Sequence, residues 1–179
     1  MKTVFVDVDT QIDFMFPAGA LYVPGAERLL PAIARLNRFA VDHGIPLIST
    51  ADAHSEDDPE FRSWPPHCVA GATGQSKPAD TLVGAGQTIV EKQVLDVFSN
   101  PEFLPLLDSL AADRYVVYGV ATDYCVRCAV AGLQATGKPV LLVTDAIAAV
   151  NPDDGARAIE EFTARGGTLT TAGEVTAEQ

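Results

Sequence analysis

Tyr115-Val116-Val117-Tyr118-Gly119-Val120 is an unbroken apolar run of strand length, and it leads almost at once into a stretch of helical period from Asp123 to Thr136. Gly137 closes that helix, and Pro139 to Val143 is apolar again. A strand apolar on both faces, a helix, and a second such strand form a βαβ unit, which lays parallel strands side by side beneath covering helices. The same alternation extends both ways along the chain. Upstream, Thr3 to Val8 reads as a buried strand. Pro24-Gly25-Ala26-Glu27 then opens an amphipathic helix with Leu29, Leu30, Ile33, Leu36 and Phe39 on one face, and Gly44 ends it. Ile45 to Thr50 and Gln87 to Val90 are further strands, followed by a helix around Pro101 to Leu110. Downstream, Pro152 to Arg165 is helical, and Gly166-Gly167 precede a last strand at Thr168 to Leu169. The pattern predicts a three-layer α/β/α fold, doubly wound, with a mainly parallel sheet of about six strands in one domain spanning 1–179.

The 179 residues hold 12 Lys and Arg against 24 Asp and Glu, a net charge of -12. No basic cluster interrupts this acidity, which excludes a nucleic-acid surface and a docking face for anionic membranes. At 47% hydrophobic and 20% charged, the composition is that of a packed protein and not of an acidic disordered chain. A chain of this length buries roughly 70% of its unfolded surface and needs no covalent staple. Cys68, Cys125 and Cys128 are an odd set without disulfide spacing, so reduced thiols in the cytoplasm are expected. Acid appears too early at the N-terminus for a signal peptide, and no apolar run has the length of a membrane span.

Open parallel sheets carry their chemistry at the carboxyl ends of the strands. Asp7-Val8-Asp9-Thr10-Gln11-Ile12-Asp13-Phe14 runs from a strand into three acids, with Asp9 at the strand's end. Asp7 and Asp13 either cap this exit or share in its chemistry. The stretch from 52 to 86 lacks clear periodicity, and a loop of that length is more often functional than idle. It holds Asp52-Ala53-His54 and Trp64-Pro65-Pro66-His67-Cys68. One carboxylate and two imidazoles suit zinc, iron or manganese and leave positions open; the alternative is ordinary polar loop residues. Cys68 is a conceivable fourth ligand of a closed zinc site. Cys125 falls in the first turn after a strand, where helix N–H groups favour a thiolate and can hold an oxyanion, whereas Cys128 reads as a small core residue. Lys92, at the end of the short strand, is either a surface charge or a partner that tunes a nearby thiol and acid. Gly84-Ala85-Gly86 precedes a strand, and Gly71 to Lys77 has the wrong spacing, so neither binds a phosphate.

Taken together, the motifs resemble the isochorismatase-like cysteine hydrolases, and within them the nicotinamidases or pyrazinamidases. They occur in order as Asp9-Thr10-Gln11-Ile12-Asp13-Phe14, Gly19-Ala20-Leu21 with Pro24-Gly25-Ala26, Asp52-Ala53-His54, Trp64-Pro65-Pro66-His67-Cys68, Lys92, and Ala121-Thr122-Asp123-Tyr124-Cys125-Val126. The resemblance implies a catalytic triad of Asp9, Lys92 and Cys125, and an oxyanion hole at the backbone N–H groups of Ala121 and Cys125, with a cis peptide before Ala121. It further implies one divalent ion, zinc first and iron or manganese next, on Asp52, His54 and His67 with Glu60 as a direct or water-mediated ligand. Substrate contacts would come from Phe14, Trp64 and Tyr124. The reaction implied is hydrolysis of nicotinamide to nicotinic acid and ammonia through a thioester, in a homo-oligomer. Another small amide, or a binding protein without catalysis, are the competing readings. The chain departs from the usual nicotinamidase pattern at Ala53, where an aromatic residue is usual, and at Ser55 to Phe61 and Ala72 to Gln75, which bear on the substrate more than on the chemistry.

Overall fold

The computed structural model describes residues 1–177; Glu178 and Gln179, which end the expected domain, lie outside the described residues. Strands β1 (Thr3–Val8), β2 (Leu47–Asp52), β3 (Gln87–Lys92), β4 (Arg114–Val120), β5 (Val140–Ala148) and β6 (Thr168–Thr170) form one sheet in the order β3-β2-β1-β4-β5-β6. Every neighbouring pair is parallel, so the sheet is wholly and not just mainly parallel. The helices are α1 (Ile12–Met15), α2 (Leu30–Asp42), α3 (Phe103–Leu110), α4 (Arg127–Ala135), α5 (Pro152–Ala164) and α6 (Ala172–Ala177).

Alternation along β1 builds the layers. Val4, Val6 and Val8 join a cluster with Phe103 and Leu107 of α3, Val130 and Leu133 of α4 and Phe162 of α5. Phe5, on the opposite face, packs with Ile33 and Leu36 of α2 and Val175 of α6. The chain winds outward from β1 through β2 to β3, returns to place β4 on the other side of β1, and winds outward again. The reversal leaves a crevice at the carboxyl ends of β1 and β4, where such sheets bind ligands. Close approach of these two strands depends on Gly119: a Cβ there would stand 2.1 Å from the Val8 carbonyl oxygen, and its φ of +119° is one that L side chains rarely adopt.

Several elements differ from the periodicity. β2 and β3 run on through Asp52 and Lys92, so Asp52 is the last residue of a strand and not the first of a loop. β5 continues past Val143 to Ala148. Pro24-Gly25 lead into a 3-10 turn, Ala26–Leu29, and the α-helix starts only at Leu30 with Pro31 in its first turn, where a missing N–H costs nothing. The helix expected from Asp123 begins as a π-helical turn, Thr122–Val126, before α4. α1 and α6 have too few turns to show a period in sequence.

Asp7 proves to be the centre of a buried polar knot. Its carboxylate accepts hydrogen bonds from Thr10 (2.8 Å), Asn37 (2.9 Å) and Ser49 (3.1 Å) and pairs with Lys77 at 2.9 Å. Asn37 in turn accepts from Tyr118 at 2.6 Å and donates to the Thr81 carbonyl at 2.8 Å. Burial, and secondarily Asp7, push the Tyr118 phenol well above its usual range, which keeps it a donor. The knot ties the long loop's return, at Lys77 and Thr81, to the sheet and α2. Lys77 thus serves as a buried counter-ion. Replacing Lys77 with Met leaves the Asp7 charge buried without its partner, and should lower the unfolding free energy in urea by about 3 to 5 kcal/mol.

Candidate active site and metal centre

Four strand ends converge on the crevice. Asp9 follows β1 in a left-handed conformation, φ +48°, that Asp tolerates better than most residues. Thr50 holds it from both sides: the Asp9 amide donates to Thr50 Oγ1 at 3.2 Å, and that hydroxyl donates to Asp9 Oδ1 at 2.6 Å. Lys92 Nζ, from the end of β3, lies 2.8 Å from Asp9 Oδ2, contacts Asp52 Oδ1, and stands 3.7 Å from Cys125 Sγ. The Asp9 carboxylate thus has Lys92 as its cation at Oδ2 and the Thr50 hydroxyl as its donor at Oδ1. All five side chains are buried, with Asp9 at 0% and Lys92 at 4% exposure.

Electrostatics follow from that burial. Burial opposes the charge on Lys92, but Asp9, Cys125 and Asp52 overcome it and hold the ammonium well above its usual range. Burial raises the Asp9 carboxyl, and Lys92 only partly offsets this. Burial, followed by Asp9, pushes the Cys125 thiol well above its usual range. Burial and the nearby carboxylates thus oppose the thiolate that a helix N-terminus and Lys92 favour. The Asp9 carboxylate beside it is the group placed to take its proton.

The second cluster lies alongside. One ligand atom from each of Asp52, His54 and His67 falls within 4.8 Å of the others. Nδ1 of His54 donates to Asp58 Oδ2 at 3.0 Å, and Nδ1 of His67 donates to the Pro65 carbonyl at 2.7 Å. Both rings consequently turn Nε2 toward Asp52 Oδ2, at 3.7 and 3.8 Å. These are ionic separations and not hydrogen bonds, and Nε2 of His54 has no partner although the residue is 0% exposed. A buried nitrogen without a partner, aimed at a carboxylate and a second imidazole, fits a divalent cation. Asp52 is the main cause, with burial opposing and Asp58 assisting, that pushes the His54 imidazolium up to about 9. The acids that retain a proton there would also retain a metal ion in its place. Burial would raise the Asp52 carboxyl, but His54 and Lys92 bring it below its ordinary value.

The loop is folded to bring these groups together. His54 donates its amide to the Cys68 carbonyl (3.1 Å) and accepts from Ala70 (2.9 Å), which sets His67 beside it. Asp13 accepts from the Cys68 amide at 2.8 Å and the Ala20 amide at 3.0 Å, so it braces the loop and not the chemistry. Cys68 belongs to none of the metal-holding groups among the described residues; burial drives its thiol far above the usual range, and its sulfur faces the Gly74 carbonyl. The fourth-ligand reading of Cys68 does not hold. Cys128 is only partly buried, not a core residue.

A pocket of about 440 Å³ empty volume, its open mouth included, sits over both clusters. Cys125, Ala121, Asp52, His67 and Glu60 line one side, and Phe14, Trp64 and Tyr124 line the walls. The Trp64 and Tyr124 rings meet edge to face at 5.3 Å. The Val120–Ala121 peptide is cis. All the residues named from the motifs thus lie in or directly behind one pocket, Asp9, Lys92 and His54 being those behind it.

The profile of the Isochorismatase domain matches residues 3–174. The chain belongs to the isochorismatase family. It is 30% identical to a nicotinamidase of Escherichia coli (strain K12) over 207 residues, covering 92% of each chain. It superposes with a TM-score of 0.89 on the pyrazinamidase of Pyrococcus horikoshii in complex with zinc, at 28% identity over 96% of this chain and 99% of that one. The N-carbamoylsarcosine amidase of Thermoplasma acidophilum gives a TM-score of 0.85 at 27% identity, over 96% and 97%.

Three positioning groups of this family member were assigned no role from the motifs. Asp123 accepts from the Val150 and Asn151 amides at 3.0 and 2.8 Å, holding the loop that brings Val150 into the pocket. Asp58 sits behind His54. Gln11 clasps the end of β2: its amide oxygen accepts from the Asp52 N–H at 2.7 Å, and its nitrogen donates to the Asp52 and Gln75 carbonyls, both at 2.8 Å. A lone glutamine carries no spacing signal of its own, and only the placement of β1 beside β2 reveals it. Gln11→Ala strands buried backbone groups next to Asp52 and should cost about 1 to 3 kcal/mol in urea unfolding.

Proposed function

We propose that this chain is a nicotinamidase, hydrolysing the carboxamide of nicotinamide to nicotinic acid and ammonia. One observation carries the reading: Cys125, with Asp9 and Lys92 beside it, opens on an aromatic-walled pocket whose flank presents Asp52 and two imidazole Nε2 atoms.

Cys125 Sγ attacks the carboxamide carbon while its proton passes to Asp9. The developing oxyanion is taken by the backbone N–H groups of Ala121 and Cys125. Asp9 returns the proton to the nitrogen, ammonia leaves, and the acyl group remains as a thioester on Cys125. A water molecule, deprotonated by Asp9, attacks the thioester carbon; nicotinic acid is released, and the sulfur regains its proton. Lys92 keeps Asp9 in place and compensates its charge when it is ionised. A divalent ion, zinc in first place with iron or manganese as alternatives, would be held by Asp52, His54 and His67 with Glu60 nearby, and would supply an anchor for the pyridine nitrogen. Phe14, Trp64 and Tyr124 would sandwich and wall the ring.

The pocket's charges separate this substrate from the ureido acids. Its lining includes the acids Asp52 and Glu60 but neither Lys nor Arg, and Lys92 behind it is already committed to two carboxylates. A substrate's own carboxylate would find no free lysine or arginine to pair with in the pocket, whereas a neutral aromatic amide needs none. No helix among the described residues is long and apolar enough to cross a membrane. On the same reading the enzyme works in the cytoplasm, where three free thiols persist, as a homo-oligomer of the kind the family resemblance implies.

The test is ammonia release. Zinc-loaded protein should release ammonia from nicotinamide and not from N-carbamoylsarcosine; the reverse preference overturns the substrate. Cys125→Ala should lose at least about a thousand-fold in kcat, and full activity in that variant overturns the mechanism. Chelation should lower kcat/KM for nicotinamide, with recovery on adding zinc back; indifference to chelator would remove the metal from the reading.

A further inference from the structure

His54 and the turn that follows it meet at one carboxylate. Asp58, 9% exposed, uses its two oxygens for two different partners: Oδ2 accepts from Nδ1 of His54 at 3.0 Å, and Oδ1 accepts from the backbone N–H of Glu60 at 2.9 Å. The second bond caps the 3-10 turn Pro59–Arg62. That turn bears Glu60 and Phe61 and ends with the Trp64 amide donating to the Glu60 carbonyl at 3.1 Å. The Phe61 ring packs against His54 and His67 at 5.4 and 5.7 Å.

We infer that Asp58 is a positioning residue that sets the tautomer of His54 and, through the same carboxylate, places Glu60 and the Trp64 wall relative to the metal ligands. This rests on the metal reading given above. The chemistry is that of a carboxylate behind a metal-bound histidine. A carboxylate can only accept, so the neutral ring must carry its proton on Nδ1, which leaves the lone pair on Nε2 facing Asp52 and His67. His67 achieves the same result with a backbone carbonyl, which has no side chain to lose. Asp58 is therefore the one point where a single substitution frees an imidazole of this cluster to rotate or change tautomer. His54, Asp58 and Glu60 also bring ligand atoms within 4.8 Å of one another. A cation among them would have to break the hydrogen bond at Nδ1 and the cap at Glu60, whereas a cation at Nε2 breaks neither.

Zinc binding to the metal-free protein, measured by competition with a chromophoric chelator, tests the inference, together with the metal-free melting temperature and the kinetics of nicotinamide hydrolysis. Asp58→Ala should weaken zinc affinity by about 10- to 100-fold. Asp58→Asn, whose one oxygen can still accept one of the two N–H groups, should fall between that variant and the parent. With zinc at saturation, Asp58→Ala should raise KM and leave kcat near the parent value, because Asp9, Lys92 and Cys125 are untouched. A lower melting temperature with unchanged zinc affinity in both variants would reduce Asp58 to a turn cap and overturn the inference. So would loss of a second equivalent of zinc, which would make Asp58 a ligand. If the unmutated protein binds no zinc, the metal reading fails and this inference with it; if it binds and Asp58→Ala binds equally well, only this inference fails.

Discussion

The ammonium of Lys92, buried between the carboxylates of Asp9 and Asp52 and close to Cys125, is the interaction on which the rest of the site depends. Two carboxylates that near each other in a water-poor crevice would repel and protonate without a fixed cation between them. Lys92 meets that need and also defines the distance between the two clusters: one of its partners faces the thiol, and the other faces two imidazoles. The second group of potential ligands, Asp9, Asp52 and Cys125, accordingly has its cation already, in the form of a lysine. A metal is left with one place, on the far side of Asp52.

A strongly buried cation requires a rigid frame, and the sheet provides it. Asp9, Asp52 and Lys92 come from adjacent parallel strands, with Asp52 directly opposite Lys92 in register. Cys125 comes from the turn after β4, on the other side of β1. The crevice is the point where the winding reverses. Had the chain continued outward in one direction, Asp9 and Cys125 would not lie at neighbouring strand ends. The loop from 52 to 86 is less regular but no less held. One end is clasped by Gln11, its middle by Asp13 and the His54 bridge, and its return by the Asp7 and Lys77 pair. Acids that read in sequence as a cluster of candidates are thus divided among chemistry, metal and bracing.

Much of this was legible in the chain. Strands such as Thr3 to Val8 and Tyr115 to Val120 are largely apolar on both faces, and in alternation with amphipathic helices that pattern marks a covered parallel sheet. The histidines of the long loop and the cysteine after β4 were identifiable because His and Cys are scarce here and their spacing is chemically restrictive. Illegible were the features that rely on how the loop folds back on itself and on the sheet. Gln11, Asp58 and Lys77 are ordinary polar residues locally, and their roles come from partners 41, 4 and 70 residues away. The environment of Cys125 was illegible for the same reason: local helix geometry favours a thiolate, whereas burial beside Asp9 opposes it.

By itself, then, the sequence determined the layer architecture, the family and the candidate site residues, since hydrophobic period and residue chemistry are local properties that survive without coordinates. Tertiary structure alone decided which acid pairs with which base, which imidazole nitrogen is free, and what surrounds the thiol. Those are matters of distance and burial, and electrostatic energy in a low-dielectric interior changes steeply with both.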